Sequence, residues 1–228
     1  EIYDHLIFGS ESFSKYFFSH IKYKKDYSIV KHGVDKKKIK IKNLTNRKIN
    51  IIYTGGRSFR KGWKIVENSF NYILNKYPDE VNFKLYGDKK KLQKSKISKY
   101  KNVEFNDFFE YEKLQEKVSW ADIAVLPTLF EPYGIIIREF LSLGVVPITT
   151  NSFGPSEVVN HKLNGIILKQ PYTQNLINEI EKIIKNKYLI HKYVSETIKT
   201  KIPTKEEEFE KIEKIYKNYL KKNQINEL

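Results

Sequence analysis

Short apolar runs alternate along this chain with longer stretches in which apolar positions recur every three or four residues. The runs at 5–8, 28–31, 49–53, 81–86, 103–105, 123–126, 145–149 and 165–168 read as strands. The stretches at 10–20, 62–76, 89–100, 111–119, 134–143, 156–160, 173–187, 188–199 and 204–222 read as helices. The helix at 62–76 gathers Ile65, Val66, Phe70, Ile73 and Leu74 on one stripe, and the last helix gathers Phe209, Ile212, Ile215, Tyr216 and Tyr219. The strands are nearly continuous Ile, Val and Leu. That is the pattern of strands buried on both faces, so the expected fold is α/β: a Rossmann-like parallel sheet with helices on both faces, followed by C-terminal helices. Such sheets bind ligands beyond the carboxyl ends of their strands, which directs attention to the strand-to-helix loops.

The chain has 228 residues, enough for one large domain or one and a half. Residues 36–48 are rich in Lys and Asn and poor in apolar residues, and read as a linker. No internal repeat and no apolar run of membrane-spanning length occurs. The chain has no cysteine, which excludes a disulfide framework, a thiolate-held metal and a thiol nucleophile. It starts Glu1-Ile2-Tyr3-Asp4, without an initiator Met or a signal peptide, as a piece of a longer chain would.

The net charge of +15 points to an anionic partner: nucleic acid, an anionic membrane or a phosphorylated small molecule. Only four of the 42 cationic residues are arginines: Arg47, Arg57, Arg60 and Arg138. In a lysine-dominated chain, a retained arginine points to a need for its planar fork, which grips phosphate or carboxylate with two bonds.

Two loops carry the chemistry. The first, Tyr53-Thr54-Gly55-Gly56-Arg57-Ser58-Phe59-Arg60-Lys61-Gly62, joins glycines that admit a ligand to the backbone with three cations at a helix start. This combination suits a diphosphate, although a plain basic turn fits the loop equally well on its own. The second runs from Ala121-Asp122 through Leu126-Pro127 to Glu131-Pro132-Tyr133-Gly134-Ile135, and reaches Glu139 one and a half turns into the helix. Glu139 lies at a distance suited to ribose hydroxyls, and Glu131 would face the other end of the same ligand. Taken singly, both glutamates are more simply surface residues; the two loops on one rim make the ligand reading the stronger. Leu85-Tyr86-Gly87-Asp88 and Ser152-Phe153-Gly154-Pro155-Ser156-Glu157 end on the same rim.

These segments, in this order, resemble the C-terminal, donor-binding domain of GT-B glycosyltransferases, specifically the retaining family 4 (group 1) type. The carriers are Gly56-Arg57…Lys61-Gly62, Leu85-Tyr86-Gly87-Asp88, Ala121-Asp122…Pro127, Glu131-Pro132-Tyr133-Gly134…Glu139, Ser142-Leu143-Gly144-Val145-Val146-Pro147 and Gly154-Pro155-Ser156-Glu157…Asn164-Gly165. The resemblance implies transfer of a sugar from a nucleotide-diphosphate sugar, with UDP or GDP as the nucleotide, to a glycan or lipid-linked acceptor. It implies retention at the anomeric carbon, no metal and no separate cofactor. It also implies roles: Arg57 and Lys61 on the diphosphate, Glu131 on the donor sugar, Glu139 on ribose. Gly56, Arg60, Gly87, Asp88, Tyr133, Gly134, Ile135 and Glu157 complete the expected donor site. The Arg57–Lys61 spacing is shorter than the family's, so Arg60 is a candidate for either role. Residues 1–35 resemble only the end of the family's N-terminal domain, 49–200 the nucleotide-sugar-binding domain and 201–228 a closing helix. The acceptor domain is expected on a segment or chain outside this one.

Other readings are an inert nucleotide-sugar-binding module, a nucleic-acid binder and a sugar-nucleotide epimerase. No nucleic-acid motif occurs, so nucleic acid is not the expected partner. The expected location is cytoplasmic; an anionic membrane face carrying a lipid-linked acceptor is a further candidate partner, at ~1 kcal/mol per lysine near it, and would place the protein peripherally on the inner face. None of the five histidines is assigned to catalysis.

Overall fold

The computed structural model of the chain describes residues 5–35, 39 and 41–226, the side chains of 222–226 excepted. The start at Glu1-Ile2-Tyr3-Asp4 and residues 36–38 and 40 of the expected linker lie outside the described residues.

Six strands form one sheet: β3 (Ile49–Tyr53), β4 (Val81–Tyr86), β5 (Val103–Asn106), β6 (Ile123–Leu126), β7 (Val146–Thr150) and β8 (Ile166–Leu168). Every pairing is parallel, in the order β5-β4-β3-β6-β7-β8. Ile51 and Ile52 of β3 pair with Ile123 and Ala124 of β6. The chain order reverses between these two central strands, and this switch point is where open α/β sheets bind their ligands. The sheet interior is fully closed to water: Ile51, Ile52, Ile123, Ala124 and Val125 have no exposed surface. The central strands are largely apolar because helices cover both faces; Asn50, Asn82 and Lys84 are only partly buried.

The covering helices are α2 (Trp63–Lys76), α3 (Lys89–Leu92), α4 (Leu114–Val118), α5 (Ile135–Ser142), α6 (Phe153–Ser156), α7 (Thr173–Lys185), α8 (Tyr188–Lys199) and α9 (Lys205–Asn226). The stripe expected in α2 is present, with Val66, Phe70, Ile73 and Leu74 buried and Phe70 stacked at 4.0 Å on Phe83 of β4. The helix expected over 89–100 is instead the single turn of α3, capped by Asp88, and a separate 3₁₀ turn at Lys96–Lys99. Leu92 and Ile97 are its only buried apolar anchors, too few to hold a continuous lysine-rich helix. The helix expected at 156–160 begins earlier, at Phe153, where Pro155 is tolerated in the first turn.

A second, two-stranded parallel sheet pairs β1 (Leu6–Phe8) with β2 (Tyr27–Ile29), joined by α1 (Glu11–His20). It docks on the main domain through Phe13, whose ring meets Phe130, Tyr133 and Phe153 at 6.1, 5.8 and 5.5 Å. The described part of the 36–48 segment is anchored along its length. Leu44 is buried, and Arg47 grips Asp122 with two bonds of 2.7 and 2.8 Å.

Candidate active site at the switch point

Two helices start at the carboxyl ends of β3 and β6. Gly62 precedes α2 and Gly134 precedes α5, both in the left-handed region at φ 75° and 66°. A side chain at either would collide: a Cβ on Gly62 would lie 2.2 Å from the Pro127 carbonyl, and one on Gly134 2.8 Å from Pro155. Glycine is therefore required by both conformation and space. Neither helix start carries a cap from its own N-cap side chain or an acidic residue in its first turn, so the positive helix ends are met only by groups from neighbouring loops or by a ligand.

Between these starts lies Glu131. Its Oε2 accepts from Lys61 Nζ and is 3.5 Å from the Arg60 guanidinium, while Oε1 accepts from the Gly134 N–H at 3.3 Å. Burial alone would push this carboxyl up. The Lys61 bond and charge, the Gly134 N–H and Arg60 outweigh it and hold Glu131 below the usual carboxylate range. The loop is clamped from behind. Glu131 N–H donates to Ser152 Oγ at 2.8 Å, Gly154 N–H donates to the Glu131 carbonyl at 3.2 Å, and the Arg60 carbonyl accepts from Leu129 N–H and Thr128 Oγ at 2.8 and 3.0 Å. The β3 and β6 loops are thus bonded to one another, and Lys61, Arg60 and the start of α5 converge on one carboxylate.

Arg57 lies apart from that point. Its guanidinium donates to the Lys91 carbonyl at 3.3 Å and sits 5.9 Å from the Trp63 ring centroid, on the β4 side. Gly56 and Gly87 close that side of the cleft. Gly56 N–H donates to the Tyr86 carbonyl, and a Cβ on Gly87 would come within 2.5 Å of the Gly56 Cα. Asp88 uses its carboxylate to cap α3 through the Lys91 N–H at 3.0 Å, with the Lys91 ammonium 3.2 Å away. Tyr133 packs edge-on against His32 at 5.3 Å, and Ile135 is exposed at the mouth of the cleft.

Glu139 is 3% exposed and accepts a 2.7 Å bond from Tyr111 Oη. Tyr111 also lies 3.2 Å from Asp35 Oδ2, and Lys205 covers its ring at 4.0 Å. Burial, reinforced by the neighbouring carboxylates, pushes the Tyr111 phenol up to about 12. Glu157 sits one layer back. Its Oε1 accepts from Ser10 Oγ, Ser12 N–H and Ser12 Oγ at 2.8, 2.7 and 2.8 Å, which fastens the start of α1 to the end of α6.

The structure thus groups Lys61, Arg60, Glu131 and Gly134; Glu139, further along α5, is held by Tyr111, and Arg57, Asp88 and Glu157 turn to other partners. Sequence reasoning missed Tyr111 and Ser152. Ser152 stood in a loop already singled out, but nothing in its spacing pairs it with Glu131. The described residues contain no group of three or more His, Asp or Glu side chains arranged to hold a metal ion. No helix among them is long and apolar enough to cross a membrane.

The switch point, the glycine-gated helix starts and the docked β1–β2 unit define the C-terminal half of a GT-B fold. Residues 34–200 match the family described as glycosyl transferases group 1, and the chain belongs to that family. An uncharacterised glycosyltransferase of Methanocaldococcus jannaschii is 24% identical over 119 residues, 51% of this chain and 30% of that protein. Anabaena HepE in complex with UDP and glucose superposes with a TM-score of 0.77 at 17% identity, over 94% of this chain and 63% of HepE. Sucrose-phosphate synthase of Thermosynechococcus elongatus gives 0.77 at 17% identity, over 95% and 58%. The chain thus spans only part of each of these proteins.

Proposed function

We propose that this chain is the donor-binding half of a retaining, family 4 type glycosyltransferase that moves a sugar from a nucleotide-diphosphate sugar, with UDP or GDP as nucleotide, to a glycan or lipid-linked acceptor. The observation that carries this reading is the convergence of Lys61, Arg60 and the Gly134 N–H on a single carboxylate at the switch point. Glu131 holds the position an anion would take there. When a diphosphate enters, Lys61 and Arg60 move their charge to it. Glu131, released, accepts hydroxyls of the donor sugar. Glu139, with Tyr111, takes the ribose, and Arg57 closes the far side of the diphosphate.

In the reaction the bond from the anomeric carbon to the diphosphate oxygen breaks and negative charge gathers on the departing group. Two cations and a helix start already in place stabilise that charge; one such donor is worth ~3 kcal/mol, about a hundredfold in rate. The acceptor hydroxyl attacks from the face the diphosphate leaves and passes its proton to the diphosphate, which retains the configuration. The charge neutralisation that a divalent ion would otherwise supply falls to these side chains, so activity should survive EDTA. HepE, bound to UDP and glucose, has the same fold and supports the donor class.

A second reading, that the chain binds donor but transfers nothing without an acceptor half, is favoured by the β1–β2 sheet. Two parallel strands rarely stand alone, and Ile7 and Tyr27 are 38% and 50% exposed on them. A cytoplasmic position on an inner membrane face draws support from exposed Lys89, Lys90, Lys91, Lys94, Lys96 and Lys99, with no acidic residue between Asp88 and Glu104. Cosedimentation that does not rise with the anionic lipid content of vesicles would remove that assignment. A thermal-shift panel of UDP, GDP and ADP sugars tests the donor class, since a ligand at a hundred times its dissociation constant adds ~2.7 kcal/mol. No shift with any of them would overturn the proposal.

A further inference from the structure

Arg138 is the outlier among the buried side chains. It is 2% exposed, it is the largest side chain so deeply buried, and its Nε and Nη2 have no hydrogen-bond partner. Glu157 and Glu208 attract its charge, but a buried guanidinium with two N–H-bearing nitrogens unbonded still lacks the hydrogen bonds that would offset its removal from water. Arg138 lies on α5, and it does not join the Glu131 cluster. It lines a separate cavity of about 450 Å³ between α5, the end of α6 and the segment joining α8 to α9.

The rest of that lining is cationic in balance. Lys31, Lys199 and Lys201 join Arg138, against Glu157 and Glu196. Glu196 pairs with Lys199 at 2.6 Å, and one oxygen of Glu157 takes three donors from α1 while its charge attracts Arg138. The other oxygen of Glu157 is buried without a partner, so the cavity offers one acceptor beside several donors. A protonated phosphate oxygen or a phosphate ester carrying a hydroxyl satisfies both kinds of group at once. Thr200, whose Oγ already donates to the Glu196 carbonyl at 3.0 Å, adds a hydroxyl to the wall.

We propose that this cavity is a second anion site, separate from the Glu131 cleft, in which Arg138 grips the phosphate group of a small phosphorylated compound with Lys31, Lys199 and Lys201 supplying further charge. The site joins three parts of the chain: Lys31 next to the β1–β2 unit, the helix α5 that carries Glu139, and the segment leading into α9. A bound phosphate ties these parts together.

Titration calorimetry with inorganic phosphate tests this. The wild-type protein and a Lys61→Ala variant should both bind one phosphate at this site, and Arg138→Met should bind it about ten-fold more weakly or not at all. If that variant does not fold, Lys199→Ala with Lys201→Ala, which changes only exposed side chains, should weaken phosphate several-fold. Absence of phosphate binding to the wild-type protein, loss of all binding in Lys61→Ala, or unchanged affinity in Arg138→Met (or in the lysine pair where Arg138→Met does not fold) would overturn the proposal. Repeating the titration with a hexose phosphate and with glycerol 3-phosphate separates a soluble metabolite from a lipid headgroup as the source of the phosphate.

Discussion

Lys61 donates its ammonium proton to Glu131, a residue 70 positions further along the chain, across the point where the order of the sheet reverses. Gly62 and Gly134 permit it, since a side chain at either would strike Pro127 or Pro155 and displace the helix starts. The pair also means that the two charges expected to meet different ends of a donor meet one another first. On the proposed function, donor binding would exchange an internal ion pair for an external one, and the net gain would be smaller than the new contacts alone suggest.

From this exchange follows a split between two variants. Lys61→Ala should weaken UDP by roughly ten- to a hundred-fold, since it removes a charge-assisted bond to the diphosphate. Glu131→Gln should leave UDP affinity unchanged or tighten it, because Lys61 is freed, while transfer falls about a hundredfold. Calorimetry with UDP and a turnover assay with UDP-sugar, carried out with the acceptor half present, separate the two effects. Equal losses of UDP affinity in both variants would show that Glu131 does not compete with the diphosphate.

Acid stability should report the same pair. The folded-state Glu131 carboxyl is held below its ordinary value of 4.5, so it stabilises the fold above that pH and the contribution is lost as pH falls through the lower, folded value. Glu157, held down by Ser12 and Ser10 against the opposing effect of burial, acts in the same direction. Thermal melts between pH 6 and pH 3 should show a falling midpoint below about pH 4.5. Glu131→Gln should flatten only part of that slope, and Glu131→Gln with Glu157→Gln more of it. A slope unchanged in both variants would place the acid sensitivity elsewhere.

Much of this architecture is legible in the residues. Ile123–Leu126 is a continuous apolar run and Ile49–Tyr53 is broken only by Asn50; short β-branched runs of this kind, between turn residues, fit strands covered on both sides. Failures fall where the apolar signal is thin. The lysine-rich 89–100 stretch has too few anchors for a helix, and α6 is a single turn whose start depends on Ser152 and Pro155 rather than on periodicity. In the cleft, glycine positions announce themselves because only glycine fits them. Partner choice does not. That Arg57 would turn to the Lys91 carbonyl while Arg60 faces Glu131 depends on which way a five-residue loop curls, and Tyr111 reaches Glu139 across 28 positions with no spacing rule to signal it.

Gly134→Ala tests the helix start itself. The substitution forces a Cβ into the left-handed region and against Pro155, at a cost of roughly 1–3 kcal/mol. Denaturant unfolding should show that loss with an unchanged slope, and UDP affinity should drop in parallel because the Gly134 N–H shifts. Stability equal to that of the wild-type protein would mean that the α5 start is not built as described.

Tyr111→Phe probes the ribose end without disturbing the fold. Tyr111 Oη bonds Glu139, and the ring stays under Lys205 whether or not the hydroxyl is present. In the free protein, removing the hydroxyl leaves a buried carboxylate with one donor fewer, so stability should fall by about 1–2 kcal/mol. When ribose hydroxyls replace the lost donor, part of that deficit is recovered, and UDP should stabilise Tyr111→Phe by more than it stabilises the wild-type protein. A nucleotide lacking both ribose hydroxyls should show no such recovery. The comparison isolates Glu139, because Lys61, Arg60 and the Gly134 N–H are the same in both proteins. If the dideoxy nucleotide rescues Tyr111→Phe as well as UDP does, Glu139 does not hold the ribose.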